Sequence, residues 1–224
     1  MLDTQPVSRY VVDIMESKTW HTALPGNEFD YLALMGALKK YKRPRDRVTK
    51  LLQRKEIIRV KKGIYVLGPD LARGGISREV LGNLLYGPSY LSMEYALSWH
   101  QLIPERVETV TLVTLNKTKT FNTPLGYFTY RHAKPAYYRM GQLSQQLPDK
   151  RGFIMAGPEK ALADMVYFAR GLDEPTDLRN YLFSDLRIDR EAFARMDGDF
   201  FRHLATAAGK RSLRLLSDLA RESL

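Results

Sequence analysis

Twelve of the chain's 35 lysines and arginines fall between positions 39 and 62, opposed there only by Asp46 and Glu56. The rest of the 224 residues carries 23 basic and 23 acidic side chains, so the whole formal excess of +10 sits in about one tenth of the chain. A local excess of this size must be displayed on a surface, because unpaired cations are not buried. It is also the electrostatic footprint expected of a surface that meets phosphates. A solvated, lysine-rich helix face has the same composition, so the arrangement of the segment decides between them.

That arrangement is specific. A first helix is expected over residues 6–18, where Val7, Tyr10, Val11 and Ile14 recur on one face. After a break, Asn27 reads as an N-cap with Asp30 three residues on, opening a helix with Tyr31, Leu32, Leu34, Met35 and Leu38 toward a core. Pro44 suits the first turn of a third helix, where its missing N–H costs nothing. There Val48, Leu51 and Leu52 form an apolar stripe, and Asp46, Thr49, Lys50 and Gln53 lie opposite, flanked by Arg47 and Arg54. Residues 57–60 and 64–67 are two β-branched runs joined by Lys61-Lys62-Gly63, in which Gly63 supplies the positive φ of a tight hairpin turn. Helix, helix, basic helix and basic-tipped hairpin is the order of a winged helix-turn-helix. One helix face then docks on the domain and the other enters a major groove. Arg47, Lys50, Gln53 and Arg54, with Thr49, are expected at the groove; Lys42, Arg43, Arg45, Lys61 and Lys62 are expected to hold phosphates.

The fold class expected is α+β: a winged helix-turn-helix over residues 1–68, a glycine-rich linker over 69–75, and a mixed α/β domain over 76–224 whose C-terminal part is helical. In that second part helices are expected at 77–86, at 92–101 with Ser92 as its cap, and from Gly157-Pro158 to Gly171. Strands are expected at 107–114, 119–123, 126–132 and 152–156, the middle two as a hairpin. The absence of cysteine excludes disulfides and thiolate chemistry, and no stretch resembles a signal peptide or a membrane span, which points to the cytoplasm.

Signatures of catalysis are weak. His21, His100, His132 and His203 lack metal-ligand spacing, and His100 and His132 read as packed or hydrogen-bonded side chains. Glu159-Lys160 lacks the intervening residue and the strand carboxylate of a metal nuclease; Glu159 suits the helix dipole, and Asp164 a partner in the same domain. Residues 152–157 lack the lysine of a phosphate-binding loop. Tyr127, Tyr130, Tyr137 and Tyr138 have the chemistry to stack on bases, though packing is the commoner use of such residues. No cofactor and no metal are expected.

The tracts GIYVLGP from Gly63, YLSMEYALSWHQLIPE from Tyr90, VETVTLVT, TKTFNTPLGYFTYRHAKP ending at Pro135, and AGPEKALADMVY at 156–167 resemble the AbiEi family. These are the antitoxins of type IV toxin–antitoxin systems in bacterial phage defence. The resemblance covers roughly residues 28–170 and is most specific at 90–135. It implies a non-catalytic autorepressor that contacts inverted-repeat operator DNA through residues 44–55, Lys61 and Lys62. It also implies an antitoxin function within residues 76–224, directed against a nucleotidyltransferase toxin, functionally or by direct binding. Relatives often begin the recognition helix with a small polar cap, where this chain has Arg43-Pro44-Arg45. The chain lacks the Gly-Ser turn and paired aspartates of such a toxin itself. The competing class is a metal-dependent nuclease whose basic segment only holds substrate.

Overall fold

The structure, a computed structural model, describes residues 19–222. The helix expected at 6–18 lies outside them. The chain is a mixed α+β protein in two compact units, Met1–Ser77 and Arg78–Leu224.

In the first unit a 3-10 turn (Trp20–Ala23) leads into strand β1 (Glu28–Asp30), helix α1 (Tyr31–Ala37), helix α2 (Pro44–Gln53) and the antiparallel strands β2 (Ile57–Lys61) and β3 (Ile64–Leu67). The sheet order is β1-β3-β2, with Phe29 and Tyr65 paired across β1 and β3 and their rings stacked 6.3 Å apart. The core is built from Trp20, Phe29, Leu34, Leu38, Val48, Leu51, Ile57, Tyr65 and Leu67. Each helix thus contributes its apolar stripe and each strand its inward residues.

Residues 27–30 correct the expected cap. Asn27 does not open the helix: residues 28–30 are strand, and Asp30 is the N-cap, accepting from Ala33 N at 2.8 Å. The Asn27 amide instead donates to the carbonyls of Arg73 (2.7 Å) and Gly75 (2.6 Å), and Glu28 accepts from Ser77 N at 2.6 Å. With Leu71 and Ala72 packed against the core, residues 69–75 are folded onto the first unit. Gly68 makes this possible, because a Cβ there would lie 2.0 Å from the carbonyl oxygen of Lys55.

The second unit is organised on a six-stranded sheet. Its elements are α3 (Arg78–Leu85), β4 (Ser89–Leu91), α4 (Met93–Trp99), β5 (Val110–Thr114), β6 (Lys119–Thr123), β7 (Gly126–His132), α5 (Pro135–Tyr138), β8 (Gln142–Gln146), β9 (Gly152–Ala156) and α6 (Pro158–Phe168). The order is β6-β7-β5-β4-β9-β8, with β5–β7 and β4–β9 parallel and the other neighbours antiparallel. The hairpin β6–β7 and strand β9 have the bounds expected of them, whereas the strand expected at 107–114 pairs only over Val110–Thr114. Helix α6 ends at Phe168, before Gly171. The chain closes with α7 (Pro175–Asn180), a π turn (Tyr181–Asp185), α8 (Arg190–Ala194), α9 (Gly198–Ala208) and α10 (Arg211–Glu222). Asp189 and Asp197 cap α8 and α9, and Gly209 ends α9 at φ +67°.

Helix α6 is buried on every side from Lys160 to Tyr167, so two of its charges lie inside the unit. Lys160 Nζ is 2.8 Å from Asp164 Oδ1 and 3.3 Å from the Tyr137 carbonyl oxygen, and 3.2 Å from the centre of the Tyr137 ring. Asp164 Oδ2 accepts from Tyr90 Oη at 3.0 Å and from Ser92 Oγ at 2.6 Å. Ser92 therefore stands at the N-cap position of α4 but gives its hydroxyl to Asp164, making no side-chain cap there. Burial pulls the Lys160 ammonium below its ordinary pKa against the opposing pull of Asp164, and burial with Asp164 pushes the Tyr90 hydroxyl up. Removing one member of such a pair strands the other. Asp164→Ala is expected to lower unfolding free energy by about 3–5 kcal/mol in urea denaturation. The double variant Lys160→Met/Asp164→Leu should lose distinctly less. Equal losses would show that Lys160 is not held as a charge.

Candidate nucleic-acid interface

The basic segment spans the turn after α1, helix α2 and the β2–β3 hairpin. Val48 and Leu51 anchor α2 in the core, which forces residues 90–180° around the helix outward. Arg45, Thr49, Lys50 and Gln53 are all exposed on α2, as are Lys42 and Arg43 before it and Arg54 after it. Arg45, Lys50 and Lys62 have no carboxylate partner among the described residues. Arg43 lies 3.8 Å from Asp46, both exposed, and Arg54 3.8 Å from half-buried Glu56; such long pairs contribute little.

Arg47 differs from its neighbours. Its guanidinium sits 5.2 Å from the centre of the Tyr41 ring, it is half-buried, and its Nε is enclosed without a hydrogen-bond partner. Tyr41 thus holds Arg47 in one orientation, a contact the sequence did not suggest because the ring lies six residues earlier across a turn. Arg43 stands at the N-cap of α2 with no side-chain cap, so the first N–H groups of the helix are unclaimed by its own cap.

At the hairpin the two lysines separate. Lys61 is half-buried and paired with Ile64 after a register shift, while Lys62 is exposed at the turn. Gly63 adopts φ +88°, and its carbonyl accepts from Tyr31 N at 2.8 Å, tying the tip to the start of α1. Exposed Arg59 on β2, together with Lys39, Lys40 and Lys55, extends the basic surface beyond the residues singled out from sequence. Strand alternation gave no signal for Arg59, which stands two residues from buried Ile57 and so on the same face of β2.

The residues weighed for catalysis are placed otherwise. Lys160 is fully enclosed beside Asp164, so it presents no ammonium to a substrate. His100 Nε2 lies 2.9 Å from the Ala156 carbonyl, and His132 Nδ1 lies 3.1 Å from those of Leu115 and Asn116. Tyr130, Tyr137 and Tyr138 are buried, leaving Tyr127 as the exposed member of that group. Among the described residues no group of three or more histidine or carboxylate side chains is placed to hold a metal ion, and no helix is long and apolar enough to cross a membrane. No family model matches the chain, and no curated protein matches it.

The hairpin tip depends on a backbone conformation that side chains disfavour. A Cβ at Gly63 would meet nothing within 4 Å, so Gly63→Ala tests the left-handed backbone alone. It is expected to cost about 1–2 kcal/mol in chemical denaturation, and Gly63→Asn less. A neutral alanine would mean that the turn tolerates another geometry.

Proposed function

We propose that the first unit is a winged helix-turn-helix and that the protein is a non-catalytic, DNA-binding autorepressor of the AbiEi antitoxin type. The observation that carries this is the display of Arg45, Thr49, Lys50 and Gln53 on one face of α2 while Val48 and Leu51 fix the other in the core. A helix so anchored has a cylinder narrow enough for the roughly 12 Å major groove. In this reading Lys50, Gln53 and Thr49 face base edges. Arg47 does so from its seat on Tyr41, which reduces the freedom it must lose on binding. Arg54 stands at the edge of the groove, Lys42, Arg43, Arg45 and Lys62 contact phosphates, and the uncapped N-terminus of α2 adds N–H donors for one more. Lys61, half-buried, plays a smaller part than Lys62.

The cytoplasm is the proposed compartment, and inverted-repeat operator DNA the proposed partner. The antitoxin role, directed at a nucleotidyltransferase toxin, is assigned to the second unit on the resemblance alone. The enclosure of Lys160 beside Asp164 supports the non-catalytic reading over the nuclease alternative.

The helix assignment is tested by titrating labelled operator duplex in gel shifts. Lys50→Ala and Arg47→Ala are expected to weaken binding by about 1–3 kcal/mol each while far-UV circular dichroism is unchanged. Unaltered affinity in both variants would remove α2 from the groove. Tyr41→Phe should retain the Arg47 contact and bind nearly as wild type; Tyr41→Ala should behave in part like Arg47→Ala.

A further inference from the structure

The second unit carries an open groove of about 1110 Å³, continued by a recess of about 250 Å³. Met93, Glu94, Arg131, Phe168 and Arg170 line both. The floor of the groove is a row of hydroxyls. Thr120 on β6 is opposite Thr129 on β7, and Thr129 is opposite Thr111 on β5, so the three share one face of the sheet. The Thr111 hydroxyl is already given to the Ser92 carbonyl, which leaves Thr120 and Thr129 facing the groove.

Charges of both signs line the walls. Glu105 pairs with Arg187, and Glu108 with Arg106 and Arg78. Glu94 and Asp185 have no cationic partner among the described residues, and Arg131 and Arg170 have no anionic one. Arg131 lies with its guanidinium 5.4 Å from the centre of the Phe168 ring. Glu94 Oε2 is enclosed and accepts no hydrogen bond. Tyr181 lines the recess with Glu94, and Asp185 lines the groove; burial, reinforced by these two carboxylates, pushes the Tyr181 hydroxyl up to about 12.

An enclosed carboxylate oxygen without a donor is costly to the free protein, and an incoming ammonium or guanidinium removes that cost. The groove is larger than one small ligand fills. A nucleic acid would match Arg131 and Arg170 but bring its phosphates against Glu94 and Asp185 as well, whereas a polypeptide can offer charges of both signs. Its peptide N–H and C=O groups also match threonine hydroxyls, which donate and accept. We propose that this groove seats an extended polypeptide segment of a partner protein, with one lysine or arginine side chain of that segment entering the recess against Glu94. The proposal stands independently of the DNA-binding reading of the first unit.

The test uses the full chain on a synthetic hexapeptide array varied at every position, followed by solution titration of the best peptide. Selection of lysine or arginine at one position is expected, opposite to the acidic preference that the cations of the first unit would impose. Glu94→Gln keeps the shape and removes the enclosed charge. It should weaken the selected peptide at least tenfold while leaving the thermal midpoint equal or higher. Three results would overturn the proposal: no basic preference on the array, equal binding by Glu94→Gln, or a lowered midpoint showing that the carboxylate holds the fold. Binding of AMP that depends on Glu94 would also overturn it, by assigning the recess to a nucleotide.

Discussion

Twelve cations gathered within 24 residues repel one another, and the first unit holds together because an uncharged core lies directly beneath them. Two unit charges ~10 Å apart in water cost ~0.4 kcal/mol before screening, so the sum over many pairs is not trivial. Val48 and Leu51 from α2 and Ile57 from β2 are buried in one cluster with Trp20, Phe29, Leu34 and Leu38. Burial of each large apolar side chain contributes about 1.5–3 kcal/mol, which is enough to fix α2 and the hairpin against that repulsion. The repulsion then becomes useful. On the proposed reading, a surface that cannot neutralise itself from within gains by meeting phosphates, and the 3.8 Å ion pairs of Arg43 and Arg54 are too weak to compete.

The second unit handles charge in the opposite way. Lys160 and Asp164 are withdrawn from water altogether, and every oxygen of the carboxylate has a donor: Lys160 on one side, Tyr90 and Ser92 on the other. These partners come from β4 and its junction with α4, so the pair fastens α6 to the centre of the sheet. Gly141, at φ +68°, lies so close that a Cβ there would stand 2.7 Å from Lys160 Cβ. The same side-chain types thus serve as display in one unit and as an internal fastening in the other.

Local signals in the sequence identified what local physics controls. Pro44 starts α2, Gly63 turns the β2–β3 hairpin, and Thr123-Pro124-Leu125-Gly126 turns β6 into β7, all from short-range conformational preference. What escaped depends on distant partners. Asn27 and Asp30 are both good caps, and the choice between them follows from the bonds of Asn27 to carbonyls 46 and 48 residues away. Strands β1 and β4 are three residues each, too short for alternation to register, and β8 is a polar edge strand. Ser92 has the chemistry of a cap, and only the position of Asp164 72 residues later shows why it is not one. At the basic surface the exposed faces of α2 were readable from its apolar stripe. The stacking of Arg47 on Tyr41 and the difference between Lys61 and Lys62 were not, because both arise from how the turns fold back.

On the proposed reading, the cationic surface recognises a particular DNA sequence. The most direct test is the salt dependence of binding to the duplex upstream of the protein's own gene, set against a scrambled duplex. A sequence-reading surface gives clear preference for the native duplex and a log–log slope of roughly −0.9 per phosphate contacted, implying several contacts. Equal, weak binding to both duplexes with the same slope would contradict it, leaving the basic segment as an electrostatic grip without sequence choice.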